Sequence, residues 1–290
     1  MLGQMVDHVL SDSKKIVVNH TCRRQEATAF HFDVEAGVDC LRQIMEQNGP
    51  FDYIVNCIGI LSSMINETDS QSVRRAIHLN ARFPHDLSVL AGETGARVIH
   101  ISTDGVFARN AGICLEDTPL DCHDIYGKTK SLGEVIAPCF LTFRCSIIGP
   151  NPMKKRGLME WFLNQPQSTE VYGYTDQMWN GVTTLQFAKL CRKLIEEDLF
   201  DQVRLESPVH HFCPNEAVSK HELLQLFQGT FRPDVTVKPA KSRDAPIARI
   251  LDTRYQSLRR LFGYGLPMLS GIKELSREMK GDVWLRNDLQ

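Results

Sequence analysis

The sequence predicts an α/β protein built on a doubly wound parallel sheet, with a smaller α/β portion after residue 150. In the first half of the chain, short β-type runs alternate with longer helical stretches, which is the pattern of βαβ units. One of these runs, residues 53–58, is apolar at nearly every position, as expected for a strand that helices cover on both faces. The 290 residues, 42% hydrophobic and 23% charged, can form a sizeable core.

Composition excludes several function classes. The formal net charge of −2 gives no electrostatic basis for binding nucleic acid. The apolar runs are shorter than the roughly 20 residues of a membrane helix, and no leader opens the chain, so we expect a cytoplasmic protein. The nine cysteines are odd in number and lack a C-x-x-C pair, which predicts free thiols and no metal site.

The predicted elements follow hydrophobic periodicity and turn signals. In the first half we expect strands at residues 15–19, 53–58, 97–102 and 140–148, and helices at residues 38–47, 70–93 (bent near Pro84) and 126–136. In the second half we expect helices at residues 158–163, 183–197, 220–228, 253–262 and 272–279, strand pieces within residues 203–212, and a loop over residues 232–246.

The strongest chemical signal is the pair Tyr126 and Lys130. Four residues apart on a helix, they share one face, where the ammonium would lower the pKa of the phenol. An unperturbed phenol, with a pKa near 10, is a poor proton donor at neutral pH. Alone, the pattern is also compatible with the start of an ordinary surface helix.

A hydroxyl group precedes this helix at the end of a predicted strand. Residues 97–102 lead into Thr103 and Asp104, so the Thr103 hydroxyl should project into the crevice at the carboxyl edge of the sheet. There Thr103 could hold a substrate carbonyl that Tyr126 protonates while a nicotinamide delivers hydride. The alternative interpretation of Ser-Thr-Asp is a turn or a helix cap.

These motifs resemble the extended short-chain dehydrogenases/reductases of the dTDP-4-dehydrorhamnose reductase type. Residues 101–107 (I-S-T-D-G-V-F) are similar to the family's S-T-D-Y-V-F segment, with Gly105 in place of tyrosine. Residues 126–134 (Y-G-K-T-K-S-L-G-E) resemble its catalytic helix, and residues 143–149 its next strand. Residues 179–185 resemble its G-x-P-T segment, with Val182 replacing proline. The resemblance runs from Gly3 to about Thr184.

The resemblance implies an NAD(P)H-dependent reductase of a nucleotide-linked 4-keto sugar, supplying sugars for cell-surface polysaccharide. It implies a Rossmann domain at residues 1–150, with a return segment near residues 170–213, and a mainly substrate-binding domain at residues 151–290. A homodimer is compatible with it. The implied catalytic residues are Thr103, Tyr126 and Lys130. The implied cofactor-binding residues are Gly3, Asp33, Asn56, Cys57, Ile58, Gly59, Asn80, Tyr126 and Lys130.

Substrate contacts are implied for Thr103, Asp104, Arg144 and Trp179. Three of the implied residues have a structural alternative. Asp33 could cap a helix, Arg144 could form an internal ion pair, and Trp179 could serve packing alone.

A basic cluster follows the predicted strand at residues 15–19. That strand ends without the acidic residue that binds a ribose 2′-hydroxyl, and His20, Arg23 and Arg24 follow instead. Because arginine can pair with a 2′-phosphate, we expect NADP(H) to be preferred, with NAD(H) also accepted. A solvated basic turn is the alternative.

The opening residues resemble the end of a dinucleotide-binding motif. In Met1-Leu2-Gly3-Gln4, Gly3 would be the third motif glycine, with the first strand and two glycines absent. We expect that strand's place to lie between residues 15–19 and 97–102, and either a start further upstream or a non-catalytic relative. Two other functions therefore stay open, a regulatory subunit that binds a nucleotide sugar or NADP, and a nucleotide-sugar epimerase or dehydratase that uses Asp104.

Overall fold

The computed structural model describes residues 1–23, 29–151, 156–243 and 246–280. The α-helices in these ranges are, in chain order, α1 Leu2–Ser11, α2 Val38–Asn48, α3 Ser70–Ala76, α4 Phe83–Thr94, α5 Ile125–Leu132, α6 Leu158–Leu163, α7 Thr184–Glu196, α8 Phe200–Glu206, α9 Lys220–Phe231, α10 Ser257–Phe262 and α11 Met268–Lys280.

Strands in the same ranges are short. They are β1 Thr21–Cys22, β2 Phe30–His31, β3 Tyr53–Asn56, β4 Arg97–Ser102, β5 Gly112–Cys114, β6 Phe140–Arg144, β7 Ile147–Ile148, β8 Glu170–Tyr174, β9 Met178–Trp179, β10 Val182–Thr183, β11 Val209–His211, β12 Val218–Ser219, β13 Thr236–Ala240 and β14 Arg249–Leu251.

A parallel sheet of four strands forms the centre of the fold. Its spatial order is β11, β6, β4, β3, and every pairing in it is parallel. All five residues of β6 are buried, as is typical of a strand with helices on both faces. The sequence led us to expect this burial for β3, where only Asn56 is buried and the other three residues are half-buried. The predicted doubly wound α/β class is confirmed. Since parallel strands share one direction, the ends of β3, β4 and β6 meet at one edge.

The predicted strand at residues 15–19 is wrong. Among the described residues of this region, regular pairing is limited to β1 with β2, at Thr21 and Cys22. A cavity of about 1140 Å³, lined by residues 15–22 and 53–58, accounts for this. Residues 15–19 border the cavity and have no neighbouring strand there among the described residues, so they make no ladder hydrogen bonds.

The expected place of the absent strand also needs correction. Strand β4 already pairs with β3 on one side and with β6 on the other, so no gap lies beside it. The open edge belongs instead to β3, whose far side faces the cavity. A strand inserted there would have β3 and residues 15–22 as its neighbours.

The predicted long helix over residues 70–93 consists of three joined parts. Helix α3 passes into a π-helical turn at Ile77–Arg82, which continues into α4. Pro84 sits in the first turn of α4, where its missing N–H costs least, and the irregularity lies just before it. The π turn carries Asn80, which is fully buried.

The second half of the chain departs further from the predicted elements. Residues 203–206 belong to α8 rather than to a strand, and only β11 is extended. The predicted loop at residues 232–246 contains β13, which pairs in parallel with β8 in a sheet of two strands. Pro239 is tolerated in β13 because a two-stranded sheet consists of edge strands.

One hydrophobic core joins both halves. Helix α1 packs against α7, and the same buried cluster contains residues of the main sheet and of α9 and α11. Strand β11 returns from the second half to complete the sheet beside β6.

Candidate active site

The Thr103 hydroxyl lies at the carboxyl edge of the sheet, immediately after β4 ends at Ser102. Its Oγ1 accepts a hydrogen bond from the Gly105 N–H at 3.0 Å and so caps the short helical turn Asp104–Val106. The cap that we considered as an alternative is therefore present. It does not exclude a catalytic role, because capping uses only one lone pair of the hydroxyl oxygen.

Helix α5 brings Tyr126 to this hydroxyl. The helix is capped by Asp124, whose Oδ1 accepts from the Gly127 N–H at 2.7 Å. Glycine is required at 127, because a Cβ there would lie 2.2 Å from the Gly105 carbonyl oxygen. This close approach places the Tyr126 ring beside Gly105, where an added Cβ would lie 3.1 Å from Cε1 of Tyr126.

Burial governs the ionisation of Tyr126. It raises the pKa of the phenol to about 12, and a hydrogen bond with Thr103 opposes it. We expected Lys130 to lower this pKa below its usual value. In the protein without a ligand, that expectation is therefore wrong. The phenol is held in its protonated form at neutral pH, which is the form that can donate a proton.

Lys130 is buried one turn further along α5, as the spacing predicted. Its Nζ donates to the Ile101 carbonyl oxygen at 2.7 Å. Burial lowers the pKa of Lys130 to about 8, and the charge of Glu134 partly offsets that effect. An ammonium has three N–H donors, so donors remain beyond the one bond found among the described residues.

Asn80 joins helix α5 to the loop that follows β3. Its Oδ1 accepts from the Ile60 N–H at 2.9 Å, and its Nδ2 lies 3.1 Å from the Ile60 carbonyl oxygen and 3.3 Å from Thr129 Oγ1. A Cβ at Gly59 would lie 3.3 Å from Asn80 Oδ1. The side chain of Asn80 is thus occupied in shaping this loop.

Asn56 supports the same loop from the end of β3. Its Oδ1 accepts from the Ile58 N–H at 3.0 Å, and its Nδ2 lies 3.1 Å from His100 Nδ1. Burial raises the pKa of the adjacent Cys57 thiol to about 12. The Asn56 side chain thus fixes the backbone that follows β3.

The first turn of α1 approaches the end of β3. A Cβ added to Gly3 would lie 3.7 Å from the Cβ of Cys57. The positive charge of the Met1 amino group acts on the same thiol and lowers its pKa slightly against the larger effect of burial. The N-terminal end of α1 therefore lies close to the end of β3, at the carboxyl edge of the sheet.

Arg23 and Asp33 neighbour each other at the far end of the crevice. Asp33 caps the turn Val34–Ala36 by accepting from the Glu35 N–H at 3.0 Å, which is the alternative that the sequence left open. Arg23 Nε lies 3.8 Å from Asp33 Oδ2, and the Arg23 side chain is 62% exposed. Arg24 lies outside the described residues.

The structure favours the ion-pair alternative for Arg144. Its guanidinium bonds Glu134 through Nε at 2.8 Å and Nη2 at 2.7 Å, and both side chains are 5% exposed. Its Nη1 donates to the Glu116 carbonyl oxygen at 3.1 Å and lies 3.2 Å from His211 Nε2. This arginine supports the floor of the site.

Trp179 is also packed rather than open. The indole is buried, and its Nε1 donates to Ser146 Oγ at 2.7 Å. The Lys220 ammonium lies 4.9 Å from the centre of the ring. This face of the indole is therefore covered, which supports the packing alternative over stacking on a substrate.

Sequence reasoning missed Arg249 and Lys220. Arg249 Nε donates to Asp104 Oδ2 at 3.1 Å, from 145 residues further along the chain. Burial lowers the pKa of Lys220 to about 8, while the charge of Asp104 opposes that change. Neither residue belongs to a recognisable motif, because tertiary packing alone brings both to Asp104.

Comparison with known proteins identifies the family. The family model described as RmlD substrate binding domain matches residues 2–250 of the chain. The chain belongs to this family. The RmlD-type match extends past Thr184, where the resemblance of the motifs ends, and includes Arg249. No curated protein sequence matches the chain.

Solved structures share the RmlD-type fold at low sequence identity. A dTDP-4-dehydrorhamnose reductase from Clostridium acetobutylicum matches with a TM-score of 0.72 and 19% identity, over 96% of this chain and 95% of that one. The reductase from Yersinia enterocolitica matches with a TM-score of 0.73 and 17% identity, over 96% of this chain and 95% of that one. The reductase from Bacillus anthracis, solved with NADP, matches with a TM-score of 0.66 and 20% identity, over 86% of this chain and 89% of that one. No described helix has the length and apolar character needed to cross a bilayer.

Proposed function

We propose that the protein is an NADP(H)-dependent reductase that acts on the 4-keto group of a nucleotide-linked sugar. One observation carries this proposal, namely that Thr103, Tyr126 and Lys130 lie together at the carboxyl edge of β4. Membership of the RmlD family and the similarity to structures of dTDP-4-dehydrorhamnose reductases support it.

The polar groups along the edge fit a nicotinamide dinucleotide. The N-terminal end of α1 suits a pyrophosphate, because helix N-termini bind anions well. The remaining donors of Lys130 suit the hydroxyl groups of the nicotinamide ribose. Arg23, exposed near the cavity-lining residues 15–22, suits the adenosine end. When bound, the cofactor would supply the hydride.

In this mechanism Tyr126 supplies the proton. The Thr103 hydroxyl donates a hydrogen bond to the substrate carbonyl oxygen and orients it toward the phenol. As the carbonyl carbon accepts hydride, negative charge develops on its oxygen, and Tyr126 transfers its proton there to give the alcohol. Lys130 lies one turn away along α5, where its positive charge stabilises the phenolate that remains.

The setting of Asp104 supports a reductase over a dehydratase. A dehydratase would require an acidic residue beside Thr103 that gives up a proton. Asp104 Oδ2 instead accepts from Arg249 Nε at 3.1 Å, and Oδ1 accepts from Thr103. Both carboxylate oxygens of Asp104 are therefore already engaged as acceptors within the protein.

Cofactor affinity should depend on the protonation of Lys130. Below a pH of about 8 the ammonium is charged and can bind the ribose hydroxyls, and above it the group loses its charge. We expect the affinity for NADPH to fall as the pH rises from about 7 to about 9.5. Lys130→Arg should remove this dependence, because arginine stays protonated throughout. Calorimetric titration with NADPH measures the affinity of both proteins at each pH. An affinity of the unmodified protein that does not change with pH contradicts the role of Lys130 in binding the ribose.

Arg23 and Arg24, which follow the cavity-lining residues 15–22 in the sequence, should set the preference for NADPH over NADH. We expect a kcat/KM for NADPH at least roughly tenfold higher than for NADH, since charged hydrogen bonds to a 2′-phosphate contribute about 1.5–3 kcal/mol each. Replacing Arg23 and Arg24 together by Ala should remove most of the preference. Arg82→Ala is the control, because that arginine is also exposed and pairs with Asp86 on α4. Equal kcat/KM for both cofactors in the unmodified protein would refute the preference.

A direct assay tests the proposed function. Purified protein would be incubated with NADPH and dTDP-4-dehydrorhamnose, and the loss of absorbance of the reduced nicotinamide followed with mass analysis of the product. We expect a gain of two hydrogens in the sugar. Release of water from a 4-hydroxy sugar nucleotide would identify a dehydratase, and inversion of a sugar carbon without net reduction an epimerase. Binding of the nucleotide sugar with no turnover would identify a regulatory subunit.

A further inference from the structure

Arg249 reaches the catalytic edge from the second half of the chain. Strand β14 pairs in parallel with β5, with Arg249 opposite Gly112. This pairing directs the guanidinium at the turn that follows β4. Nε donates to Asp104 Oδ2 at 3.1 Å, and Nη1 donates to the Phe107 carbonyl oxygen at 2.9 Å. The two bonds span both ends of the turn Asp104–Val106.

The Asp104 carboxylate links this arginine to the catalytic hydroxyl. Thr103 Oγ1 donates to Asp104 Oδ1 at 3.2 Å and accepts from the Gly105 N–H at 3.0 Å. A threonine hydroxyl has a single proton, so donation to Asp104 competes with donation to a substrate carbonyl. The strength of Asp104 as an acceptor therefore decides how readily Thr103 turns toward the substrate.

We propose that Arg249 is a positioning residue for the reduction, which holds the Asp104 carboxylate and thereby keeps the Thr103 hydroxyl available to the substrate carbonyl. This inference rests on the proposed function. Arg249 draws the negative charge of the carboxylate toward Oδ2 and fixes its plane. Thr103 then meets a weakened acceptor in a fixed position.

Removal of the arginine should disturb Thr103 in a defined way. The side chains of Arg249 and Asp104 are only 14% and 17% exposed, so water would compensate the carboxylate poorly. A carboxylate without its partner rotates toward solvent and takes the turn with it. This change moves Thr103 and removes a hydrogen bond that the transition state needs.

A double-mutant cycle tests this chain of contacts. Arg249→Met should lower kcat roughly ten- to hundredfold, the loss typical of a misplacement near 1 Å, with KM changed less than about threefold. In a protein that already carries Asp104→Asn, Arg249→Met should lower kcat by less than a further factor of about two, since the neutral amide needs no ion pair. Arg249→Lys should restore part of kcat. Arg254→Met is the matched control, because Arg254 pairs with Asp117 at 2.8 Å on the surface.

Crystal structures of the unmodified protein and of Arg249→Met give a readout that needs no activity. We expect the variant to fold with a shifted Asp104 carboxylate and a Thr103–Asp104 distance outside the range 2.5–3.5 Å. An unshifted carboxylate overturns the proposal, as does retention of more than about half of kcat, or additive losses in the cycle. If the unmodified protein reduces no keto sugar while the variant shows the shift, the proposed function fails, and the link from Arg249 through Asp104 to Thr103 stands.

Discussion

Tyr126→Phe should abolish carbonyl reduction while NADPH binding stays within about twofold. The substitution removes one hydroxyl group from a ring that stays packed against Gly105. A positioned proton donor contributes roughly 100- to 10,000-fold to a rate, so we expect kcat to fall by at least that lower factor. The loss should appear in kcat rather than in the Kd of the cofactor, because the hydroxyl acts in the transition state.

Tyr172→Phe is the matched control for this experiment. The Tyr172 side chain also loses a single hydroxyl, but it is 59% exposed and bonds only Glu170 among the described residues. The kcat of the Tyr172→Phe protein should equal that of the unmodified protein. A Tyr126→Phe protein that keeps more than about a tenth of the unmodified kcat would remove Tyr126 from the role of proton donor.

An apolar strand joined through a glycine turn to Met1 should stabilise the fold and strengthen binding of the cofactor. About five or six residues suffice for such a strand. It would enter the cavity of about 1140 Å³ and pair with the free edge of β3. Newly paired backbone groups and buried side chains should raise Tm by at least roughly 5 °C. The turn would add backbone N–H groups at the start of α1 and so complete an anion site.

A polar extension of equal length, built from Gly and Ser, is the control for the added strand. It has the same reach but little apolar surface, so it should leave Tm unchanged. Calorimetry with NADPH separates the two effects of the strand. A chain without any extension that binds NADPH as tightly as the extended chain would contradict our interpretation of Gly3. An extended chain that gains stability but binds no cofactor would favour the regulatory subunit.

Local patterns were sufficient to predict the two elements that bring Thr103 and Tyr126 to the carboxyl edge of the sheet. Strand β4 agrees with residues 97–102, and α5 begins within one residue of the predicted start at 126. These segments are predictable because their apolar periodicity and their caps lie within a few residues of each other. The helix ends at Leu132 rather than at 136, since Gly133 lies against Asn80, where a Cβ would be 2.0 Å from the Asn80 carbonyl oxygen.

Contacts between distant parts of the chain could not be predicted. The sequence suggested Arg144 and Trp179 as substrate contacts, yet Glu134 neutralises the first and Lys220 covers the second. Strand β13 escaped notice because its pairing with β8 depends on residues more than sixty positions away, and its lysine and proline are typical of loops. Only the tertiary fold determines which polar groups face one another in these places.

The return of β11 to the main sheet has a consequence for synthesis of the chain on the ribosome. Strand β6 is fully buried, yet its outer neighbour is not made until Val209–His211. Until then an apolar edge of the nascent sheet stays open to other strands, which is where nascent chains aggregate. We therefore expect chaperones that bind extended apolar segments to protect this edge during translation. For the same reason, a gene fragment that ends near residue 150 should yield insoluble protein, because it encodes β6 without the strand that covers its outer edge.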